Sequence, residues 1–82
     1  MSFATHPSGV RITARELQVL ELAADGLSSR EIADALGLSW STVKSHIGAL
    51  MWIFGVEDRV QAVREARRLG VLPTKRTTGV VL

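Results

Sequence analysis

Residues 31–47 run Glu-Ile-Ala-Asp-Ala-Leu-Gly-Leu-Ser-Trp-Ser-Thr-Val-Lys-Ser-His-Ile, and this stretch decides the fold. Ala33 is small where two helices would cross closely, and Gly37 stands where the chain must reverse with a positive φ. Val43 and Ile47 would anchor the second helix from the inside. This pattern is typical of a helix-turn-helix, which presents the outer face of its second helix to the DNA major groove. The alternative is an αα-hairpin that needs a glycine at its turn.

N-cap patterns and glycines extend this motif to four helices. Thr13-x-x-Glu16 and Ser28-x-x-Glu31 have the form of capping boxes, and glycines follow each apolar periodic segment. The predicted helices cover residues 14–25, 29–36, 40 or 41 to 54, and 58–69. The expected fold class is therefore all-α, a four-helix helix-turn-helix domain without a wing. The expected organisation is a flexible lead-in at 1–10, the domain at 11–72 and a flexible tail at 73–82.

The composition bounds the class of protein. The chain has 82 residues, a formal net charge of +2 and no Cys. This length suits one small domain, and the absence of Cys excludes disulfides and thiolate metal sites. The longest apolar run, residues 49–54, has six residues, whereas a membrane span needs about 20. The N-terminus does not resemble a signal peptide. We therefore expect a cytoplasmic protein with no membrane partner.

The sequence carries no enzyme signature. It lacks a Gly-rich phosphate loop, a His-Glu-x-x-His motif and a carboxylate cluster. His46 is the one His within a predicted helix, and no nucleophile or orienting partner accompanies it. We therefore expect no catalytic residue, no metal, no cofactor and no small-molecule substrate. The charges are segregated instead, with no acid between residues 40 and 56 and basic residues gathered between 59 and 76. Such segregation can mark a polyanion-facing surface, but charge alone favours the alternative, an ordinary solvated surface.

Several segments, in order, match the motifs of one family. Residues 12–16 resemble L-T-x-R-E, residues 26–33 resemble G-L-S-N-K-E-I-A, residues 42–46 resemble T-V-K-x-H, and residues 55–63 fit G-V-x-x-R-x-x-A-V. The chain therefore resembles the LuxR-type (GerE-like) helix-turn-helix family over residues 11–72. The resemblance implies a bacterial transcription regulator that binds double-stranded DNA, with helix 3 as recognition helix and helix 4 commonly used for dimerisation.

The resemblance also implies site residues, position by position. The first Lys of helix 3 and its neighbour face bases in this family, and here they are Lys44 and Ser45. The positions that touch phosphate are occupied by Arg30, Thr42 and His46. This agrees with physical expectation, because side chains early on the outer face of helix 3 can reach base edges. Trp40, just before them, is expected to pack against a sugar or the core.

Helix 3 departs from the family in its second half. Gly48 and Ala49 replace residues that are often basic or polar, and Trp52 and Ile53 replace a frequent basic pair. Either DNA binding is weak and relies on the Arg-rich helix 4, or the domain binds something else. We expect Trp52 and Ile53 to form an exposed apolar patch that docks a partner, a second copy or another transcription component. The alternative is that a neighbouring segment covers them.

Helix 4 carries apolar residues at three-residue steps, which predicts a homodimer interface. These residues are Val60, Val63, Ala66 and Leu69. The alternative is that all four pack within the chain. The expected function is a small stand-alone transcriptional regulator that binds DNA as a dimer through helix 3. The alternative function is a protein–protein interaction module that uses the apolar second half of helix 3.

Overall fold

The fold is a four-helix domain preceded by a short strand pair. A computed structural model describes the backbone of residues 3–5 and all of residues 9–73. The elements are β1 (Phe3–Thr5), β2 (Arg11–Thr13), α1 (Ala14–Ala24), α2 (Ser29–Leu36), α3 (Trp40–Phe54) and α4 (Arg59–Arg68). The all-α class is confirmed, and each helix begins and ends within one residue of its predicted bounds. The tail expected at 73–82 lies outside the described residues, apart from Pro73.

The strand pair is a correction, because the sequence predicted no strand. β1 runs antiparallel to β2, with Phe3 opposite Thr13, Ala4 opposite Ile12, and Thr5 opposite Arg11. Residues 3–5 belong to the lead-in that was expected to be flexible. Strands of three residues are too short to show a period-two pattern, so only the pairing itself reveals them.

The helix starts follow the local hydrogen bonding that the sequence predicts. The hydroxyl of Thr13 accepts from the backbone N–H of Glu16 at 3.0 Å, and the Glu16 carboxylate accepts from the N–H of Thr13 at 3.0 Å. The start of α4 differs slightly. Asp58 accepts from the N–H of Gln61 at 2.9 Å, but the Gln61 amide oxygen accepts from the N–H of Glu57 at 3.1 Å. The reciprocal bond of a capping box is thus displaced by one residue.

The core lies where the helices meet. α3 is central, since it packs against α1, α2, α4 and β2. The predicted inner face of α3 is confirmed, since Val43 is buried and Ile47 is half-buried against the core. The buried residues of the core are Ile12, Val19, Leu20, Ile32, Ala33, Val43, Leu50, Val63, Ala66 and Leu72. Packing α3 from the inside in this way leaves its opposite face exposed.

Candidate nucleic-acid interface

The turn between α2 and α3 sets the position of the exposed face. Gly37 has φ of +68°, a left-handed conformation that glycine adopts without steric cost, and it ends α2. Its N–H and that of Leu38 both donate to the carbonyl of Ala33, the latter at 2.9 Å. The Leu38 side chain is half-buried and packs against the core. These contacts close the turn, so α3 begins at a fixed angle to α2.

Three hydroxyl groups gather at the start of α3. Ser39 is the N-cap, and its Oγ accepts from the backbone N–H of Thr42 at 3.1 Å. The same oxygen lies 2.8 Å from Thr42 Oγ1, to which it donates, and 3.2 Å from Ser41 Oγ. Because the Thr42 hydroxyl accepts in this pair, its own hydrogen is directed elsewhere. It can therefore donate to an anion beside the positive end of the helix.

The residues expected to face bases lie on the outside of α3. Lys44 and Ser45 are exposed, whereas the preceding Val43 is fully buried. His46 is half-buried, so it is less accessible than its two neighbours. Lys44 and Ser45 are therefore accessible to the major groove of a DNA duplex. Their contact with bases stays a prediction.

An aromatic ring joins two of the predicted DNA-facing cations. Lys44 Nζ lies 4.4 Å from the centroid of the Trp40 ring, and Arg30 Cζ lies 4.6 Å from it. Trp40 is 43% exposed, so the ring lies at the surface rather than in the core as one expectation had it. The two cationic groups are therefore at most about 9 Å apart. The sequence predicted both cations but not the contact that brings them together.

Arg30 reaches this position from the start of α2. The hydroxyl of Ser28 accepts from the backbone N–H of Glu31 at 3.1 Å, and the Glu31 carboxylate accepts from the N–H of Ser28 at 2.8 Å. This capping box orients the first turn of α2, which carries Arg30. It also engages Glu31, the acid nearest to Arg30 in sequence, in a backbone hydrogen bond. The α3 helix itself contains no acid, so the charge that it contributes to this face is positive.

The second half of α3 carries an exposed aromatic residue. Trp52 is 85% exposed, as expected, whereas Ile53 is half-buried. Both line a shallow groove of about 450 Å³, together with Ala49, Arg11 and Glu16. The exposed apolar patch predicted at Trp52 and Ile53 is therefore smaller in the structure. It consists of one projecting indole beside a groove.

The apolar residues of α4 do not form one free face. Val63 is 8% exposed and Ala66 is fully buried, because the three-residue steps of α4 pack into the chain's own core. Leu69 is half-buried. Only Val60, at 61% exposed, is open to solvent. The predicted four-residue dimer surface is corrected on this point: Val63 and Ala66 are unavailable to a partner while the domain is folded.

One of the α4 cations is paired within the helix. Arg68 Nε donates to both carboxylate oxygens of Glu65, at 3.1 and 3.2 Å. This hydrogen bond lowers the pKa of Glu65 and raises the pKa of Arg68. Arg68 is exposed and Glu65 is half-buried at the surface, so solvent screens the pair and it adds little to stability. It neutralises one positive charge of the Arg-rich α4.

Two kinds of site are missing from the part of the chain that the structure describes. Its His, Asp and Glu side chains form no group of three that could hold a metal ion. None of its helices is long and apolar enough to cross a bilayer. The exposed face of α3 is thus the candidate site that the geometry supports best.

The sequence and the structure are similar to known bacterial regulators. Residues 10–66 match the family described as "Bacterial regulatory proteins, luxR family". Spore germination protein GerE of Bacillus subtilis is 43% identical over 61 residues, which are 74% of this chain and 82% of GerE. Transcriptional regulatory protein DegU of Brevibacillus brevis is 44% identical over 59 residues. The chain spans only 25% of the length of DegU.

The likeness extends to the fold. The structure of transcription factor GerE has a TM-score of 0.69 to this chain at 36% identity, and the match covers 72% of this chain and 88% of that one. GerE is thus similar to this chain in fold as well as in sequence.

Proposed function

The chain belongs to the luxR family of bacterial regulatory proteins, and we propose that it is a small transcriptional regulator that binds double-stranded DNA through the outer face of α3. The family is one of DNA-binding transcription regulators and not of enzymes. The observation that carries the proposal is the joint placement of Lys44 and Arg30 on the exposed side of the helix-turn-helix, at one aromatic ring.

The outer face of α3 supplies the contacts that would distinguish bases. The Lys44 ammonium can donate to O6 and N7 of guanine in the major groove, and the Ser45 hydroxyl can pair with either a donor or an acceptor. Val43, which precedes them, is buried in the core and anchors this part of α3 to the domain. We assign base readout to these two exposed residues.

Three further residues would hold the DNA backbone. Arg30 offers a guanidinium, which forms paired hydrogen bonds with phosphate oxygens. Thr42 offers a hydroxyl hydrogen at the positive end of α3, and His46 lies two residues after Lys44 on the same helix. Such phosphate contacts fix the register of a protein on DNA, while base contacts give its sequence preference.

We also propose that the regulator acts in the cytoplasm, as a small stand-alone protein, and as a dimer. Similarity to GerE, of which the chain covers 82%, supports the stand-alone form. A dimer would place two copies of α3 in half-sites about 34–36 Å apart along one face of the duplex. Within α4, Val60 is the exposed apolar residue that could contribute to such an interface.

A salt titration with random and selected duplexes tests the proposal. The parent should prefer selected DNA, and its affinity should fall as salt rises, because bound phosphates release counterions. Lys44→Ala should weaken binding to the best site by about 1–3 kcal/mol and relax the base preference. Arg15→Ala, which removes an exposed cation from α1, is the charge-matched control. Lys44→Ala binding as tightly as the parent would contradict the assignment.

The second candidate function is a protein–protein interaction module. The observation that favours it is the exposed indole of Trp52 beside the groove lined by Ile53. Trp is frequent among interface anchors, since it brings a large contact area at little conformational cost. In this alternative the domain would regulate a transcription component through the second half of α3.

A further inference from the structure

We propose that Trp40 is a positioning residue for DNA binding, because its ring holds Arg30 of α2 and Lys44 of α3 together on the DNA-facing surface. This inference rests on the proposed DNA binding and deepens it. It assigns a role to an aromatic residue that acts through two cations rather than through its own contact with a base.

The geometry at the ring is that of two cation–π contacts. Lys44 Nζ and Arg30 Cζ lie 4.4 and 4.6 Å from the Trp40 centroid, inside the range of about 6 Å in which a ring attracts a cation. Lys44 follows Trp40 by one helical turn, the spacing at which side chains of one helix meet. Arg30 comes from the other helix of the motif. The ring therefore connects α2 and α3 across their exposed side.

The contacts oppose two costs of placing these cations together. Arg30 and Lys44 repel each other at this separation, and the negative face of the indole offsets part of that repulsion. Both side chains are also long and lose rotamer freedom when DNA immobilises them. A ring that already restricts them in the free protein reduces that loss. Trp40 thus pre-organises the positive charge that the DNA meets.

The decisive comparison is between Trp40→Phe and Trp40→Leu. Both side chains are apolar, but only Phe keeps an aromatic face. Trp40→Leu should bind selected DNA about tenfold more weakly than the parent at fixed salt, and Trp40→Phe should stay within about threefold. Neither change removes a charge, so the slope of log affinity against log salt should stay that of the parent in both. Arg30→Met, in contrast, should reduce the slope by about 0.9, because Arg30 is assigned to a phosphate contact. Circular dichroism of each variant is the check that it is folded.

A second measurement needs no DNA. The ring should shift the ε-methylene proton resonances of Lys44 upfield in the free parent, and Trp40→Leu should abolish that shift. A resonance at the random-coil position in the parent would overturn the inference, since Lys44 would not rest on the ring.

The DNA measurements distinguish a failure of this inference from a failure of the proposed DNA binding on which it rests. If the parent binds no duplex, the proposed function fails and the positioning role fails with it. If the parent binds and Trp40→Leu binds equally well or more tightly, only the role of Trp40 is overturned. If Trp40→Phe loses as much affinity for selected DNA as Trp40→Leu, the indole acts through packing or through its own DNA contact, and the inference is again wrong.

Discussion

The guanidinium of Arg59, the first residue of α4, donates a hydrogen bond to the backbone carbonyl of Leu27 in the turn between α1 and α2. The contact is partly buried and joins residues 32 positions apart. Leu27 directly precedes Ser28, the N-cap of α2, so this bond holds the turn from which the helix-turn-helix starts. It also gives a structural reason for the Arg in the G-V-x-x-R motif that residues 55–63 match.

Arg59→Met should therefore destabilise the domain. The substitution removes the charged donor of the hydrogen bond to the Leu27 carbonyl. We expect this loss to lower the free energy of unfolding by about 1–2 kcal/mol. Urea unfolding followed by circular dichroism measures the change. Arg64→Met, also on α4 but exposed, is the matched control and should stay within about 0.5 kcal/mol of the parent. Equal stability of the two variants would show that the Arg59 bond contributes nothing.

Gly48→Ala should stabilise the domain. Gly48 lies within α3 without a positive φ. Apart from its chain neighbours and the backbone of its own helix, no atom lies within 4 Å of the position that a Cβ would take there. An alanine in such a helix interior is favoured over glycine by about 1 kcal/mol, so the melting temperature should rise by about 4–8 °C. Gly37→Ala is the contrasting control, because φ of +68° strains any side chain there and should lower stability. A melting temperature at or below that of the parent for Gly48→Ala would contradict the expectation.

The helix bounds could be predicted because their causes are local. Thr13 and Glu16 form their reciprocal bonds across one turn, so four consecutive residues contain the whole interaction. The features that the sequence missed join residues that lie further apart than one helical turn. The pairing of β1 with β2, the Arg30 contact with Trp40 and the Arg59 bond to Leu27 each depend on the tertiary fold. Their partners lie 6 to 10 positions apart in the strand pair, 10 in the Arg30–Trp40 contact and 32 in the Arg59–Leu27 bond, and no capping or periodicity pattern connects them.

The candidate site shows the same division. The exposure of Lys44 and Ser45 followed from the burial of Val43 on the other side of one helix. Whether the apolar residues of α4 pack in the core or in a dimer could not be predicted, since apolar residues at three-residue steps give the same pattern in both cases. The structure resolves this ambiguity for Val63 and Ala66, which are core residues.

Val60→Glu tests the proposed dimer through α4. Val60 is exposed in the single chain, so the change should leave the stability of the monomer nearly unaltered while a charge at the interface weakens self-association. Sedimentation equilibrium of parent and variant, with and without DNA, measures the association. Val63→Glu is the control for burial and should unfold the domain. A parent that remains monomeric at high concentration under both conditions would count decisively against the dimer.

Trp52→Arg and Ile53→Lys together restore the charge that the family often carries in the second half of α3. The structure predicts different costs for the two changes. Trp52 is 85% exposed, so Trp52→Arg should leave the melting temperature unchanged. Ile53 is half-buried in the groove, so Ile53→Lys should lower the melting temperature modestly. The folded double variant should lose the contact with a second copy or another transcription component that the patch is proposed to make.

The same double variant should bind random DNA more tightly. Each added cation that reaches a phosphate should steepen the slope of log affinity against log salt by about 0.9. Paired titrations on random duplex, with Trp52→Phe as the uncharged control, measure this effect. An unchanged slope would show that this part of α3 lies away from the DNA backbone. Unfolding by Trp52→Arg alone would show that the indole packs within the chain, and the partner-docking hypothesis would then be wrong.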